Sequence, residues 1–281
     1  MSPIVSYHNK VVVVSGAATG VGAALVEQLH AAGAARIIAL DIKRCGGPVA
    51  QTIPVDLSDP LAINEALSRL PDSVDVLFNN AGVAATLPTD IVMAVNVLAP
   101  KKLIAGLQQR MPAGSAIVNT ASTAGGGYLE RLAEIQRFLA IDDWKAALDW
   151  VTEHPALTNN SYGFSKECAQ VLTLQLAKTL GYKGIRINSV CPGIIDTPLL
   201  ADFRTSMGEP IIDWMVSQSG GRRASPAEVA SVLTFLGSDA ARYVSGTNIL
   251  VDNGFTAAIL TNQADYSAMP TVDSLLNAPA T

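Results

Sequence analysis

Short apolar runs alternate along this chain with stretches whose apolar residues recur every three or four positions. Residues 11–15, 36–40 and 53–55 are such runs, followed by 74–78, 115–121, 184–190 and 247–251. Continuous Val/Ile/Leu runs of this length predict strands buried on both faces. Between them, Val21, Leu25 and Leu29 keep helical spacing over 21–32, and Gly33 suits a helix end. Asp59 and Pro60 read as cap and first residue of a helix over 60–70. Further helices are predicted at 88–110, through the amphipathic stretch 130–153, and at 160–180, 198–217 and 226–237. Gly46, Gly47 and Pro48 predict an irregular connection over 41–52. From 256 to 281 no period is evident, and a loop-rich tail is expected. Strands alternating with helices predict an α/β fold. It is a doubly wound Rossmann-type parallel sheet of about seven strands with helices on both faces, one catalytic domain over 1–281. Ligands then belong at the carboxyl ends of the strands.

Composition narrows the function. Of 281 residues, 49% are hydrophobic and 15% charged, enough apolar material for a sheet covered on both sides. A net charge of −5 gives no footprint for nucleic acid. No apolar run approaches the roughly 20 residues of a membrane span. Residues 1–10 lack the pattern of a signal peptide, so a cytoplasmic protein is expected. Cys45, Cys168 and Cys191 have neither disulfide nor metal spacing and read as free thiols, with no metal expected. His8, His30 and His154 lie off every motif.

Chemistry begins at residues 15–22, Ser-Gly-Ala-Ala-Thr-Gly-Val-Gly, between the first strand and first helix. Gly16 permits a tight turn, Gly20 lets backbone approach a pyrophosphate, and Gly22 permits close helix packing. Thr19 and Val21 share this loop, whose N–H groups would face the phosphates. A glycine-rich turn needed only for packing is the plainer alternative. Asp41 ends the second strand about 20 residues on, where a carboxylate can accept bonds from the adenosine ribose. Its charge opposes a 2′-phosphate and favours NAD, while Lys43 and Arg44 weaken that preference. Asp56, with Leu57 beside it, could meet the adenine amino group or simply shape a turn.

Together with Asn79-Asn80-Ala81-Gly82, Asn96, Ser122, Tyr162-Gly163-Phe164-Ser165-Lys166 and Pro192-Gly193, these glycines resemble the short-chain dehydrogenase/reductase family over about residues 10–255. The resemblance implies a role for each residue. Asn80, Ala81 and Gly82 lie near the adenosine ribose. Pro192, Gly193, Ile195 and Thr197 flank the nicotinamide, and Asn188 is structural. Ser122 orients the substrate oxygen; Thr120, Thr123 and Ser161 are its neighbours in kind, but Ser122 fits the family position. Tyr162 exchanges the proton. Lys166, four residues on and so on the same helix face, favours the phenolate and binds the nicotinamide ribose. Asn96 holds a water that links Lys166 to solvent. Dehydration, epimerisation or nucleotide sensing without catalysis are the rival functions.

Between Ser122 and Tyr162 the chain carries an insertion at about 128–158. Bacterial 3α-hydroxysteroid dehydrogenase/carbonyl reductases and coniferyl alcohol dehydrogenases carry a similar one, and the former share the Asp41-Ile42-Lys43 pattern. These resemblances imply a small hydrophobic secondary alcohol or ketone as substrate, with an aromatic primary alcohol as the alternative. An apolar lid is expected at about 198–220, including Leu199, Phe203, Met207 and Met215. A homodimer or homotetramer is expected. The insertion would cover one usual interface, leaving 226–237 and the last strand, and the tail would reach a neighbouring subunit.

Overall fold

The computed structural model describes residues 4–270. Its strands are β1 (Val11–Ser15), β2 (Arg36–Asp41), β3 (Gln51–Pro54), β4 (Val76–Asn79), β5 (Ala116–Thr120), β6 (Arg186–Pro192) and β7 (Asn248–Val251). All pair in parallel in one sheet, ordered β3-β2-β1-β4-β5-β6-β7. Every predicted strand is present, with bounds moved by a residue or two. The order reverses between β1 and β4, the place where an open α/β sheet parts to admit a ligand.

Helices α1 (Gly20–Ala31), α2 (Pro60–Ser68), α3 (Thr89–Met93) and α4 (Ala99–Leu107) come from the first half of the chain. The insertion supplies α5 (Leu132–Leu139), α6 (Trp144–Glu153) and α7 (Pro155–Thr158). Then follow α8 (Ser161–Gly181), α9 (Leu200–Met207), α10 (Glu209–Ser217), α11 (Pro226–Gly237) and α12 (Phe255–Leu260). Successive strand residues point to opposite faces, so the strands between the two edges feed two cores. Val13, Ile38 and Leu77 pack with α2, α4 and α8. Val12, Val14, Ile37 and Phe78 pack with α1 and α11. That division explains why the strands read as unbroken apolar runs.

Two features differ from expectation. The helix expected over 88–110 has the right extent, but Ala94–Leu98 widens into a π turn around Asn96, a feature frequent at functional sites. The tail is not all loop. Gly254, at φ +88°, reverses the chain, and the Asp252 carboxylate accepts from Gly254 N (3.1 Å) and Thr256 N (2.8 Å) to start α12. Phe255 and Tyr266 then flank Trp214 of α10, whose Nε1 donates to the Asp265 carbonyl at 2.8 Å. So residues 255–266 pack on α10 of this same chain. A six-residue helix is too short to show a period. The rest of the predicted tail, 271–281, lies outside the described residues.

Candidate active site

A cleft of about 630 Å³ opens at the carboxyl ends of the central strands. Its floor is a cross-linked backbone. Gly16, at φ +66°, leaves β1 so close to the Asn80 turn that a Cβ there would stand 2.6 Å from Ala81 Cα. A Cβ on Gly22 would stand 1.9 Å from the Gly16 carbonyl oxygen. Only glycine fits either place. Ser15 Oγ accepts from the backbone N–H of Asn80 (3.0 Å) and Ala81 (3.1 Å). Asn80 Nδ2 donates to the Gly16 carbonyl (3.1 Å), and Thr120 Oγ1 donates to Asn80 Oδ1 (3.2 Å). Thr19 precedes α1 without a capping bond from its side chain. The first N–H groups of α1 are therefore open to an anion.

Asp41 accepts from Ala18 N and Lys43 N, both at 2.9 Å, tying β2 to the glycine loop. Asp56 forms the turn that its plainer reading allowed: Oδ1 accepts from Ser58 N (2.8 Å) and Ser58 Oγ (2.7 Å). It also lines the cleft, as do Leu57, Gly82, Pro192, Gly193, Ile195 and Thr197. A glycine cradle, an uncapped helix start and a carboxylate at the strand end fit a dinucleotide.

Ser122, Tyr162 and Lys166 meet at the other end of the floor. Asn160 caps α8 by accepting from Gly163 N at 3.0 Å, which places Tyr162 and Lys166 on its first two turns. Lys166 is buried, and Nζ donates to the Thr120 carbonyl at 3.0 Å. Burial of its ammonium pulls its pKa down to about 8. Burial pushes the Tyr162 phenol up to about 12, with the Ser122 hydroxyl working the other way. The expected lowering of Tyr162 is therefore not found. Desolvation dominates, and the ammonium is held by Thr120, 5.5 Å from the Tyr162 ring centroid.

Two predicted residues stand one layer behind the cleft. Gly22 backs the loop. Asn96 donates Nδ2 to the Val83 carbonyl and Ser165 Oγ, both at 3.0 Å, and accepts from Val83 N at 2.9 Å. Both amide hydrogens are used, so the side chain braces the Gly82–Val83 turn. Ser165 Oγ in turn donates to the Tyr162 carbonyl at 2.7 Å.

Beyond Tyr162 the cleft is apolar. Leu87, Ile91 and Val95 form one wall; Phe203, Met207 and Met215 of α9 and α10 form the other. The first wall was not foreseen, although Ile91 and Val95 stand four residues apart on one helix face. Phe203 meets the Tyr162 ring edge-on, with centroids 4.9 Å apart at 70°. Thr86 Oγ1 donates to Asp202 Oδ1 (3.2 Å), and Glu209 receives both Arg204 and Arg223, so α9 is held at both ends. None of residues 128–158 lines the cleft. Phe138, Leu139 and Val151 of the insertion instead join Phe164 of α8 in the core. Cys45, Cys168 and Cys191 are buried free thiols. Among the described residues no His, Cys, Asp or Glu group could hold a metal, and no helix is long and apolar enough to cross a membrane.

Known proteins place this arrangement. The short chain dehydrogenase profile matches residues 10–133, and the enoyl-(acyl carrier protein) reductase profile of the related C-terminal part matches 151–256. The coniferyl-alcohol dehydrogenase of Pseudomonas sp. (strain HR199 / DSM 7063) is 30% identical over 253 residues, 89% of this chain and 97% of that one. The meso-2,3-butanediol dehydrogenase of Serratia marcescens is 31% identical over 274 residues, 90% and 96% of the two chains. Among solved structures, the 3-alpha-hydroxysteroid dehydrogenase of Pseudomonas sp. B-0831 complexed with NADH superposes with a TM-score of 0.74 at 28% identity, covering 91% of this chain and all of that one. By sequence, sheet order and relatives alike, this chain belongs to the short-chain dehydrogenase/reductase family.

Proposed function

We propose that this protein is an NAD(H)-dependent dehydrogenase/reductase that interconverts a bulky apolar secondary alcohol with its ketone. The observation that carries this reading is the meeting of Ser122, Tyr162 and Lys166 at the joint between a glycine cradle and an apolar pocket. A bound nicotinamide nucleotide supplies the hydride acceptor or donor. The chain's own residues handle the oxygen and its proton. Ser122 Oγ bonds the substrate oxygen and orients it. In oxidation the hydroxyl proton passes to Tyr162 Oη; in reduction Tyr162 returns it.

Magnitudes say how Tyr162 is tuned. Ionising a phenol at about 12 costs about 7 kcal/mol at neutral pH. With Lys166 in place Tyr162 therefore stays protonated at neutral pH, the state needed for ketone reduction.

Among the described residues, Lys166 is the one charged side chain lining the cleft away from Asp41, Lys43 and Asp56. Burying an unpaired substrate charge beside Leu87, Ile91 and Phe203 would be costly, so neutral ring systems suit this pocket better than acids. The coniferyl-alcohol relative favours an aromatic primary alcohol as the second reading. Asp41 supports NAD, since a carboxylate lining the cleft at the end of β2 opposes a 2′-phosphate.

Reduced-nicotinamide absorbance with 3α-hydroxysteroids, cyclic alcohols, coniferyl-type alcohols and small diols tests the reading. Turnover is expected with the bulky secondary alcohols and NAD. Faster turnover of small diols would contradict the substrate class. Replacing Asp41 with alanine is expected to raise kcat/KM for NADP by about tenfold or more; a wild type already faster with NADP would refute the cofactor choice.

A further inference from the structure

Three glycines in a row, Gly125, Gly126 and Gly127, separate Ser122 from the insertion. The nucleotide cradle makes no use of them. They let this segment lie flat against α8 just past Lys166. A Cβ on Gly125 would stand 2.6 Å from both Gln170 Nε2 and the Lys166 carbonyl carbon, and one on Gly127 would stand 3.1 Å from Glu167 Oε1. Two buried polar side chains of α8 hold the segment there. Gln170, 4% exposed, donates Nε2 to the Ser122 carbonyl at 3.0 Å. Glu167, 3% exposed, pairs with Arg131, whose guanidinium also reaches the Leu157 carbonyl and lies 5.6 Å over the Phe164 ring.

Gln170 does not line the cleft. A buried amide is costly unless it is bonded, and packing alone would be met by an apolar residue. Its place in the sequence is telling. Tyr162, Lys166 and Gln170 are four residues apart, along one face of one helix. We propose that Gln170 is a positioning residue for Ser122. Its amide fixes the Ser122 carbonyl, and so the Cα and hydroxyl that share that residue. A single helix thereby sets the distances among Ser122, Tyr162 and Lys166. The Glu167–Arg131 pair clamps the far end of the same segment, which gives the insertion a mechanical tie to the site it does not line. This inference rests on the alcohol-dehydrogenase reading above.

The test uses two near-isosteric variants. Gln170→Met keeps length and loses the donor; Gln170→Glu donates only while protonated. Each is assayed for kcat, KM for the alcohol, NADH affinity and melting temperature, in the wild-type and Ser122→Ala backgrounds. A misaimed hydroxyl predicts a fall in kcat of about tenfold to a hundredfold for Gln170→Met, with NADH affinity unchanged. It predicts no further loss when Ser122 is already alanine, because the two residues act as a unit. For Gln170→Glu it predicts a new limb in the pH profile, with kcat falling relative to wild type as the carboxyl ionises. An undiminished kcat in Gln170→Met, or an equal loss in the Ser122→Ala background, overturns the proposal. Should Gln170→Met not fold, the Gln170→Glu profile decides, and a pH-independent ratio to wild type is the contrary result. A wild type that binds NADH but oxidises no alcohol refutes the dehydrogenase reading itself, and this role of Gln170 with it.

Discussion

The nucleotide half of the cleft is built from backbone, and the alcohol half from side chains. In the first, close backbone approach at Gly16 and Gly22 and bonds from the Ser15 and Asn80 side chains to the main chain lock two strand ends together, and the Asp41 carboxylate ties in a third. In the second, Leu87 from the turn before α3 joins Ile91, Phe203 and Met215, which project from helices held by contacts such as Thr86–Asp202 and Trp214–Asp265. A backbone cradle admits one ligand shape and tolerates little change. A wall of side chains can be re-cut one residue at a time. The difference teaches that ligand identity is fixed on one side of Tyr162 and adjustable on the other.

That contrast can be broken by substitution. The largest effect is expected from Gly22→Ala, whose new methyl would sit 1.9 Å from the Gly16 carbonyl oxygen. The loop must move by more than an ångström, and NADH affinity should fall by about a hundredfold or more, read by fluorescence titration. An unchanged affinity would show that the cradle is not rigid. Phe203→Ala should leave NADH affinity intact and shift kcat/KM between bulky and slim alcohols by about 10–200-fold, measured on a substrate series. A loss of NADH affinity instead would mean that the two halves are coupled.

The smallest effect concerns proton binding where the halves meet. Folding lowers the pKa of Lys166 from 10.5 to about 8. Between those values the unfolded chain holds a proton that the folded chain has released, so the protein gains stability from this group as pH rises through the window. At pH 7 the buried ammonium costs about 3 kcal/mol. Lys166→Met should therefore melt several degrees above wild type at pH 7, with the gap closing toward pH 10.5. A gap that widens with pH would contradict the assigned burial cost.

Much of this was legible in the sequence. Parallel strands announce themselves by unbroken apolar runs because both faces are buried, and the glycine loop by residues that must lack a Cβ. Tyr162 and Lys166 could be paired from their spacing of four. What escaped notice depends on contacts distant in sequence. Thr120 meets Lys166 through its carbonyl, which any residue would offer. Gln170 looks like an ordinary helix residue until the Ser122 segment is laid against it. The Tyr162 pKa differs in direction from the expectation because burial, which spacing does not reveal, outweighs the Ser122 hydrogen bond. The tail helix needed Trp214 as its partner, about forty residues away in the chain.

The central claim is that the Tyr162 hydroxyl carries the substrate proton. The most direct measurement is the rate of nicotinamide reduction by wild type and Tyr162→Phe, with NADH affinity determined for both. The account predicts unchanged affinity and a fall in kcat of about 10²–10⁴-fold. A Tyr162→Phe protein that keeps wild-type turnover would contradict it.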